Sequence, residues 1–397
     1  MKIQVFEYER LSVGTKGFEP KHFDALSKLS PSKYFRLQHR AVQFSQYVGA
    51  IQLGNLTIEI LPKTDQYVQD KSLWRDVLLD MLRYCRLLKI ETVGTAHLAL
   101  KRHSILDIYY ALFLEEVAQL LHRGIFCSYT NTVANRKSLK GQIQFAEQIR
   151  HNWLHKERFF TRKQTYNDDN IFNQIISTAL DLLRFVPLPS GLQLQYDSLI
   201  QQFPQHLNSH LTTQDFQQLH FNRHNEHYRN AIQIARLLIQ QNQPNLRSGE
   251  QSAIALLFDM NLLFEEYIFR QLCRVRSTSL HISRQQQKAF WNRQHIRPDI
   301  VLQDGRNRYV LDTKWKLLKT AKPAMQDLQQ AFVYGQYFDA QTTVLLYPQQ
   351  HNFQHQPPVA FQAASDYHCG LFFANVIQDG HLNLNIGEEI LRYLRQD

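Results

Sequence analysis

The stretch RPDIVLQDGRNRYVLDTKWK, residues 297–316, decides the fold of the C-terminal part of this chain. Asp304-Gly305 stands between two β-prone runs, Asp299 to Leu302 and Tyr309 to Trp315, and this arrangement predicts a β-hairpin. Both runs are largely apolar, which indicates that most of the hairpin is buried. Unpaired carboxylates would be costly in such a place, so the acidic residues of this stretch require an explanation.

The hairpin predicts which of its charged side chains meet. Residues two apart in a strand share a face, so Asp312 and Lys314 point the same way. If Leu302 pairs with Tyr309, then Asp299 lies opposite Asp312. A slip by two residues would keep the two acids on one face, whereas a slip by one would separate them.

Two carboxylates on one face repel each other, and a divalent cation relieves that repulsion. Mg²⁺ prefers oxygen ligands, and phosphodiester hydrolysis uses such an ion to polarise the phosphoryl oxygen and to acidify water. Lys314 could orient that water or meet the developing negative charge. The alternative is a solvated hairpin whose acids form ordinary salt bridges with nearby basic residues. Spacing alone leaves both interpretations open. The basic residues are Arg297, Arg306, Arg308, Lys316 and Lys319.

The segment before the hairpin predicts a helix that carries a third acid. Glu265 and Glu266 are adjacent, so they lie about 100° apart around the helix and only one can readily reach the site. Spacing favours neither of them. The apolar face of this helix is predicted to contain Leu256, Met260, Leu263, Tyr267 and Leu272.

The segment after the hairpin predicts another helix. Gln330 and Tyr334 are four residues apart, so they share a helix face that could touch the same site or a DNA backbone. The alternative is a surface glutamine and a half-buried tyrosine.

The rest of the chain predicts an α+β or α/β multidomain protein. Residues 1 to about 62 are β-rich, with a hairpin turn at Gly54-Asn55, and helical patterns follow at about 71–89, 104–123 and 170–185. The segment from Pro244 to Gly249 is the predicted linker. Residues 1–245 then form an N-terminal α+β region, and residues 246–397 a compact α/β domain.

Composition narrows the class of protein. The chain has 397 residues, 44% of them hydrophobic, and a formal net charge of +10, which favours polyanionic partners without proving them. The four cysteines form no CxxC pair, and no signal peptide or membrane-spanning stretch is evident, so we expect a soluble cytoplasmic protein. A phosphate loop for nucleotide binding is also lacking.

Two further groups of residues were considered as sites. His220, His224 and His227 have no accompanying cysteine or further ligand motif, and a histidine-rich helix surface is favoured over zinc. The basic and aromatic stretch 151–166 could grip nucleic acid, could bind a partner or could be solvated, and the sequence does not choose among these.

The ordered motifs resemble those of the PD-(D/E)xK (restriction-endonuclease-like) nuclease superfamily, and more closely those of the McrC family, the nuclease subunits of McrBC-type modification-dependent restriction systems. The resemblance covers most of the chain. The segments that carry it are Ile58–Lys63, Leu139–Gly141, Phe258–Asn261 with Phe264-Glu265, Arg297–Asp299, Leu311–Lys316 and Asp327–Tyr334.

The resemblance implies a Mg²⁺-dependent endodeoxyribonuclease. It makes Asp299 and Asp312 the metal ligands, Lys314 the catalytic lysine and Glu265, rather than Glu266, the helix acid. It also implies cytosine-modified DNA as substrate and a hexameric McrB-like AAA+ GTPase as partner, with residues 1–245 as the candidate partner-binding region. Two other functions stay open: a stand-alone repair or recombination nuclease, and a non-catalytic activator of a GTPase.

Overall fold

The computed structural model divides the chain into two compact units. The first unit combines Met1–Ile105 with Leu257–Asp397, and the second comprises Leu106–Leu256. No helix of the described residues is long and apolar enough to cross a membrane. The structure describes residues 1–28, 32–63, 70–87, 104–205, 211–241, 253–275, 277, 279–318, 320–350, 353–362 and 364–395.

The units differ from the predicted division at residue 245. The predicted linker, Pro244 to Gly249, lies outside the described residues. The N-terminal residues pack with the C-terminal ones, as the hydrogen bond from Trp315 Nε1 to Glu7 Oε1 (2.7 Å) illustrates. The functional assignment of residues 1–245 and 246–397 stays a prediction.

The N-terminal part of the first unit contains two sheets. Strands β1 and β6 pair in parallel, β5 and β6 pair antiparallel, and β2, β4 and β3 form a separate sheet in that order. The elements described here are β1 (Lys2–Phe6), β2 (Arg10–Ser12), α1 (Pro20–Ser27), β3 (Phe35–Gln38), β4 (Ala41–Phe44), β5 (Tyr47–Leu53), β6 (Leu56–Leu61) and α2 (Lys71–Tyr84).

The turn between β5 and β6 is the one predicted from the sequence. Leu53 pairs with Leu56, which leaves Gly54-Asn55 as a two-residue connection. Gly54 has a φ of +56°, a conformation that glycine adopts without steric cost. The predicted hairpin is therefore confirmed.

The second unit is mostly helical, with one sheet in the order β7-β9-β8. Its core includes the Tyr228 hydroxyl, which donates to Asn173 Oδ1 (2.8 Å) and accepts from the backbone N of Phe126 (3.0 Å). The elements are α3 (Ile105–Arg123), β7 (Ser128–Arg136), β8 (Gln142–Ile143), α4 (Phe145–Asn152), β9 (Phe159–Asn167), α5 (Ile171–Leu183), α6 (Ser190–Gln202), α7 (Thr213–Gln217), a 3₁₀ helix (Glu226–Tyr228) and α8 (Arg229–Gln241).

The C-terminal part of the first unit is built on a mixed six-stranded sheet, in the order β11-β14-β15-β16-β18-β17. Another strand, β10, joins the N-terminal sheet in the order β1-β6-β5-β10. The elements are β10 (Ala253–Asp259), α9 (Met260–Arg274), β11 (Leu280–Arg284), β12 (Lys288–Trp291), β13 (Gln294–Ile296), β14 (Ile300–Asp304), β15 (Asn307–Thr313), α10 (Met325–Phe338), β16 (Thr342–Pro348), β17 (Gln356–Phe361), β18 (Ala364–Ala374), β19 (Ile377–Gln378), β20 (His381–Leu382) and α11 (Ile386–Leu394).

Helix α10 connects two parallel neighbours, β15 and β16. A parallel pair needs such a crossover, since a tight turn cannot join two strands that run the same way. The helix buries Tyr334 and Phe338 against Val301 and Val310 of the hairpin, and Ala331 against Leu345 of β16. This packing fixes the helix over the strands that carry the predicted acids.

The predicted helix over residues 256–272 begins later than the sequence suggests. The structure places Leu256 in strand β10 and starts α9 at Met260, where the Asp259 side chain accepts a hydrogen bond from the backbone N of Asn261 (2.9 Å). The run Ala253–Phe258 is apolar throughout, and such a short run fits a buried strand as well as a helix. The cap at Asp259 separates the two.

Candidate active site

The hairpin formed by β14 and β15 brings the predicted acids together. Leu302 pairs with Tyr309, so the expected register is confirmed, and continuing it sets Asp299 opposite Asp312. Thr313 donates from its backbone N and from its hydroxyl to the same oxygen of Asp299, Oδ2, at 2.7 Å each. These two bonds fix the orientation of the Asp299 carboxylate at the end of the hairpin.

Three carboxyl groups meet at this cluster, those of Asp299, Asp312 and Glu265, and the pKa values of Asp312 and Glu265 reflect their surroundings. Asp312 is 1% exposed, and burial followed by the nearby charge of Asp299 raises its pKa to about 7. Glu265 on α9 is also buried, and burial followed by Asp299 raises its pKa above the usual value. Asp312 and Glu265 therefore resist carrying a negative charge beside Asp299.

Lys314 supplies the positive charge at this cluster. Its Nζ lies 2.9 Å from Asp312 Oδ2 and donates to Gln330 Oε1 at 3.0 Å. Burial lowers the pKa of Lys314, but the Asp312 carboxylate outweighs that effect and the pKa is raised overall. The ammonium group is accordingly held in its charged form beside the acids.

Gln330 and Tyr334 on α10 form a chain of hydrogen bonds behind Lys314. Gln330 Nε2 donates to the Tyr334 hydroxyl (2.7 Å), which in turn donates to the backbone carbonyl oxygen of Arg297 (3.1 Å). The amide of Gln330 is thereby oriented with its oxygen toward Lys314. The structure thus brings both residues to the site, where they contact the lysine and the hairpin.

The structure separates the two adjacent glutamates that spacing alone could not distinguish. Glu265 accepts from Gln285 Nε2 at 2.9 Å and lies close enough to Asp299 for the two charges to interact. Glu266 instead forms ion pairs with Arg270 (2.5 Å) and Arg284. Only Glu265 is directed to the cluster.

Two residues of the cluster were missed by the sequence reasoning. Gln285 bonds Glu265 through its side chain and the Asp299 carbonyl oxygen through its backbone N (2.9 Å), from a φ of +50°. No sequence signal distinguishes it from the glutamines that follow. Thr313 could have been found, because it stands between Asp312 and Lys314 and its backbone N must find an acceptor.

A second polar group lies beside Lys314. Lys316 Nζ is 2.5 Å from Asp327 Oδ2, and the Tyr347 hydroxyl donates to the same oxygen at 2.8 Å. These bonds with Lys316 and Tyr347 outweigh burial and lower the pKa of Asp327, and its charge contributes to the raised pKa of Lys314. Asp327, which begins one of the segments that carry the family resemblance, thus lies near Lys314.

Asp299 and Asp312 are the residues of the cluster that could hold a divalent cation. Asp312 Oδ2 is buried and accepts no hydrogen bond, since its contact with Lys314 has ion-pair distance but not hydrogen-bond geometry. In the part of the chain that the structure describes, no three Asp, Glu, His or Cys side chains form a complete metal cluster. Two carboxylates completed by water and phosphate are a usual arrangement for Mg²⁺.

Comparisons with known proteins show which proteins the chain is similar to in sequence and in fold. The chain is 24% identical over 257 residues to the type IV methyl-directed restriction enzyme EcoKMcrBC of Escherichia coli K12, a match that covers 59% of this chain and 73% of that protein. A chain from the assembly of Thermococcus gammatolerans McrB AAA+ hexamers with bound McrC superposes with a TM-score of 0.67 at 21% identity, over 99% of this chain and 100% of that one. A chain from the cryo-EM structure of the McrBC complex of the same organism gives 0.51 at 22% identity, over 69% and 88%.

The family model described as "McrBC 5-methylcytosine restriction system component" matches residues 42–348, which is more than half of the chain. That range contains every residue of the acid and lysine cluster. The resemblance to the McrC family noted in the sequence is confirmed, and the chain belongs to the family of McrBC 5-methylcytosine restriction system components.

Proposed function

We propose that this chain is the Mg²⁺-dependent DNA endonuclease subunit of a modification-dependent restriction complex. The observation that carries the proposal is the convergence of Asp299, Asp312 and Lys314 at the buried end of one hairpin, with Glu265 beside them. Buried acids without enough cations are unfavourable in a folded protein unless a ligand or metal uses them. A phosphodiester with its metal is such a ligand.

The order of elements supports a PD-(D/E)xK core. Helix α9 with Glu265 precedes the β14–β15 hairpin, and α10 with Gln330 crosses over to the parallel strand β16. This is the order of acids, lysine and glutamine on which the resemblance rests. The fold alone does not imply a function, so the proposal depends on the side chains and not on the topology.

Each residue has a part in the proposed reaction. Asp299 and Asp312 would hold the ion, which when bound polarises the phosphate and lowers the pKa of an attacking water. Lys314, kept protonated by Asp312, donates a hydrogen bond to that water or to a phosphoryl oxygen. Glu265, whose pKa is raised and whose carboxylate Gln285 orients, can take a proton from water.

The second unit offers a surface for the AAA+ partner. Eight large apolar side chains in β7, β9 and the region of α4 are more than half exposed, which is unusual for a surface that stays in water. A related McrC chain is bound to McrB AAA+ hexamers, which supports a partner of this kind for our chain as well. The exposed residues, here called the apolar surface, are Tyr129, Val133, Leu139, Phe145, Ile149, Trp153, Leu154 and Tyr166.

The test is cleavage of methylated and unmodified DNA by the chain with its AAA+ partner, Mg²⁺ and GTP. Wild type would be compared with Asp312→Ala and Lys314→Ala, and with Asp304→Ala as a control. Asp304 lies in the same hairpin but forms an exposed ion pair with Arg395 (2.9 Å). We expect both site variants to lose cleavage by at least about 10²–10³-fold while GTPase stimulation survives, and the control to cut normally.

Other outcomes would favour the other functions. Cleavage by Asp312→Ala and Lys314→Ala at the wild-type rate would make the hairpin structural. Loss of GTPase stimulation in the same variants, without any wild-type cleavage, would favour a non-catalytic activator. Cutting of unmodified DNA by the chain without partner or nucleotide would favour a stand-alone nuclease.

A further inference from the structure

A cavity of about 640 Å³ opens in the first unit where β1 and β6 end, next to the segment that follows Lys314. Parallel strands bring their carboxyl ends to one edge of a sheet, so Glu7-Tyr8 after β1 and Lys63 after β6 meet here. We call it the lysine cavity, because the ammonium-bearing side chains of four lysines line it. These are Lys16, Lys63, Lys71 and Lys316.

The lysines exceed the carboxylates available to them. Lys16 forms an ion pair with Glu9, and Lys316 with Asp327. Within the described part of the chain, Lys63 and Lys71 have no carboxylate at ion-pair distance, and both ammonium groups lie over the Phe6 ring, 5.7 and 5.4 Å from its centroid. Among the described residues, Glu9 acts on Lys71 through its charge but is itself paired with Lys16, so the positive charges of Lys63 and Lys71 are only partly balanced.

Glu7 does little to neutralise them. Its Oε1 accepts from Trp315 Nε1 (2.7 Å) and from the backbone N of Lys63 (2.9 Å), whereas its buried Oε2 has no hydrogen-bond partner. Burial raises the pKa of Glu7 to about 7, so the group is partly uncharged at neutral pH. The cavity consequently favours an anion from outside the chain.

An exposed ring stands at the edge of the cavity in a strained conformation. Tyr8 is 55% exposed and has a φ of +58°, a region that bulky side chains rarely adopt. Gln43 Nε2 donates to its carbonyl oxygen and so helps to hold the turn. Such strain persists where the surroundings require it and is concentrated at functional sites.

We propose that the lysine cavity binds a phosphate of a nucleic-acid strand, with a neighbouring base against the Tyr8 ring. Lysines that track the backbone and an aromatic ring that stacks on a base are the usual means of holding a strand without reading its sequence. The cavity adjoins the nuclease site, because Lys316 lines it and pairs with Asp327, whose charge acts on Lys314. The inference rests on the proposed function in one respect: the strand is taken to be the DNA that is cut.

The first experiment measures DNA binding by fluorescence anisotropy across a salt series. The full chain would carry Asp312→Asn, so that the labelled single-stranded and duplex oligonucleotides are not consumed. The cavity variant is Lys63→Ala with Lys71→Ala. The matched control is Lys21→Ala with Lys28→Ala, which removes the same charge from exposed lysines at α1 in the same unit.

We expect the cavity variant to bind DNA on the order of tenfold or more weakly, with a salt slope smaller by roughly one to two units, while the control changes little. Lys63→Arg with Lys71→Arg should restore most of the binding, which would exclude a folding defect. Equal binding by the cavity variant and the control would overturn the proposal.

A second variant tests the ring. Tyr8→Asn removes the ring and keeps a residue that tolerates positive φ, so the turn should persist. We expect roughly tenfold weaker binding of single strands, with little change in the salt slope. Unchanged binding of single strands by this variant would show that the Tyr8 ring does not contact the strand.

Competition distinguishes a strand from a free phosphate. If millimolar inorganic phosphate protects the cavity from lysine modification while DNA does not, the natural ligand is not a strand and the proposal fails. The nuclease proposal is tested separately, by measuring DNA cleavage with a chain that retains Asp312. A wild-type chain that never cuts, but whose DNA binding needs Lys63 and Lys71, would refute the nuclease and leave the cavity as a nucleic-acid site.

Discussion

The two units depart from the usual distribution of polar and apolar residues in opposite ways. The first unit buries charge: Asp312, Glu265 and Glu7 are at most 9% exposed, and burial raises the pKa of each. The second unit exposes the eight side chains of the apolar surface, of which Phe145 and Trp153 are each 74% exposed, whereas exposed rings of the first unit, such as Trp291 at 68%, are not part of that group. Both arrangements cost free energy in an isolated chain, because buried charge loses hydration and exposed apolar surface orders water.

The difference indicates two kinds of missing partner. Buried acids become favourable when a cation and a phosphate neutralise them, whereas exposed rings become favourable when another protein covers them. On the function proposed above, we infer that the chemistry belongs to the first unit and assembly with the partner to the second. The following predictions test that division, beginning with the largest expected effect.

The apolar surface should be needed for assembly and not for the fold. Phe145→Asp with Trp153→Asp should weaken partner binding by roughly 2–4 kcal/mol per central residue, because each ring would be buried in the interface. Co-sedimentation or interferometry with the AAA+ partner measures this. The matched control is Leu194→Asp on α6, equally exposed at 74%. If Leu194→Asp weakened partner binding equally, or if the Phe145 and Trp153 substitutions did not weaken it, the apolar surface would not be the assembly surface.

Glu7 should make the first unit less stable as pH rises. Its pKa is about 7 in the folded protein and about 4.5 in the unfolded chain. Burial raises the pKa more than the hydrogen bonds from Trp315 and Lys63 lower it, and the charge of Asp259 raises it further. Between these values the folded state binds more protons, so unfolding free energy falls from pH 4.5 to 7 by at most about 3 kcal/mol. Denaturant titrations at pH 5 and pH 8 measure the difference. Glu7→Gln should abolish this part of the pH dependence, and a persisting fall would assign it to other groups.

Gln330 should matter to catalysis without touching DNA. Gln330→Ala removes the acceptor that orients Lys314, and we expect cleavage to fall by roughly 10–100-fold with DNA affinity unchanged. Gln329→Ala changes the neighbouring exposed glutamine and should have no effect. Tyr334→Phe, which removes the bonds to Gln330 and Arg297, should show a milder form of the same defect. Cleavage that is equally impaired by Gln329→Ala would refute the positioning role.

Mg²⁺ should stabilise the first unit through its acid pair. At about ten times the dissociation constant, a bound ion adds roughly 1.4 kcal/mol to the unfolding free energy. Thermal unfolding in EDTA and in Mg²⁺ should show the increase in wild type and lose it in Asp312→Asn. An equal Mg²⁺ effect in both proteins would place the ion elsewhere.

The site could be predicted where local geometry controls it. The Asp304-Gly305 turn predicted the hairpin, and the alternation around it limited the registers in which Asp299 and Asp312 could meet. The structure has the register considered first, with Leu302 opposite Tyr309. Gln285 could not be predicted, because it reaches Glu265 and Asp299 from a turn whose path depends on the pairing of β11 with β14. No short stretch of sequence determines which distant strands pair.

The division of the chain into two units could not be predicted from the sequence for the same reason. The sequence suggested a boundary at residue 245, but the hydrogen bond between Glu7 and Trp315 joins parts of the chain separated by the whole second unit. The prediction of helix from Leu256 onward was wrong for the end of strand β10, because an apolar run of six residues shows no period that distinguishes a strand from a helix.

The first unit is built from both ends of the chain, and this has a consequence for biosynthesis. A ribosome completes residues 1–105 early and then needs roughly ten to thirty seconds to add the second unit before the strands of the nuclease sheet begin to emerge. Through that interval the N-terminal sheet lacks strand β10, and Glu7 lacks its hydrogen bond from Trp315. A product interrupted after the second unit but before the hairpin lacks Asp299 and Asp312. On the function proposed above, such a product would keep the apolar surface for the AAA+ partner but would lack the acid pair needed to cut the DNA of the cell that makes it.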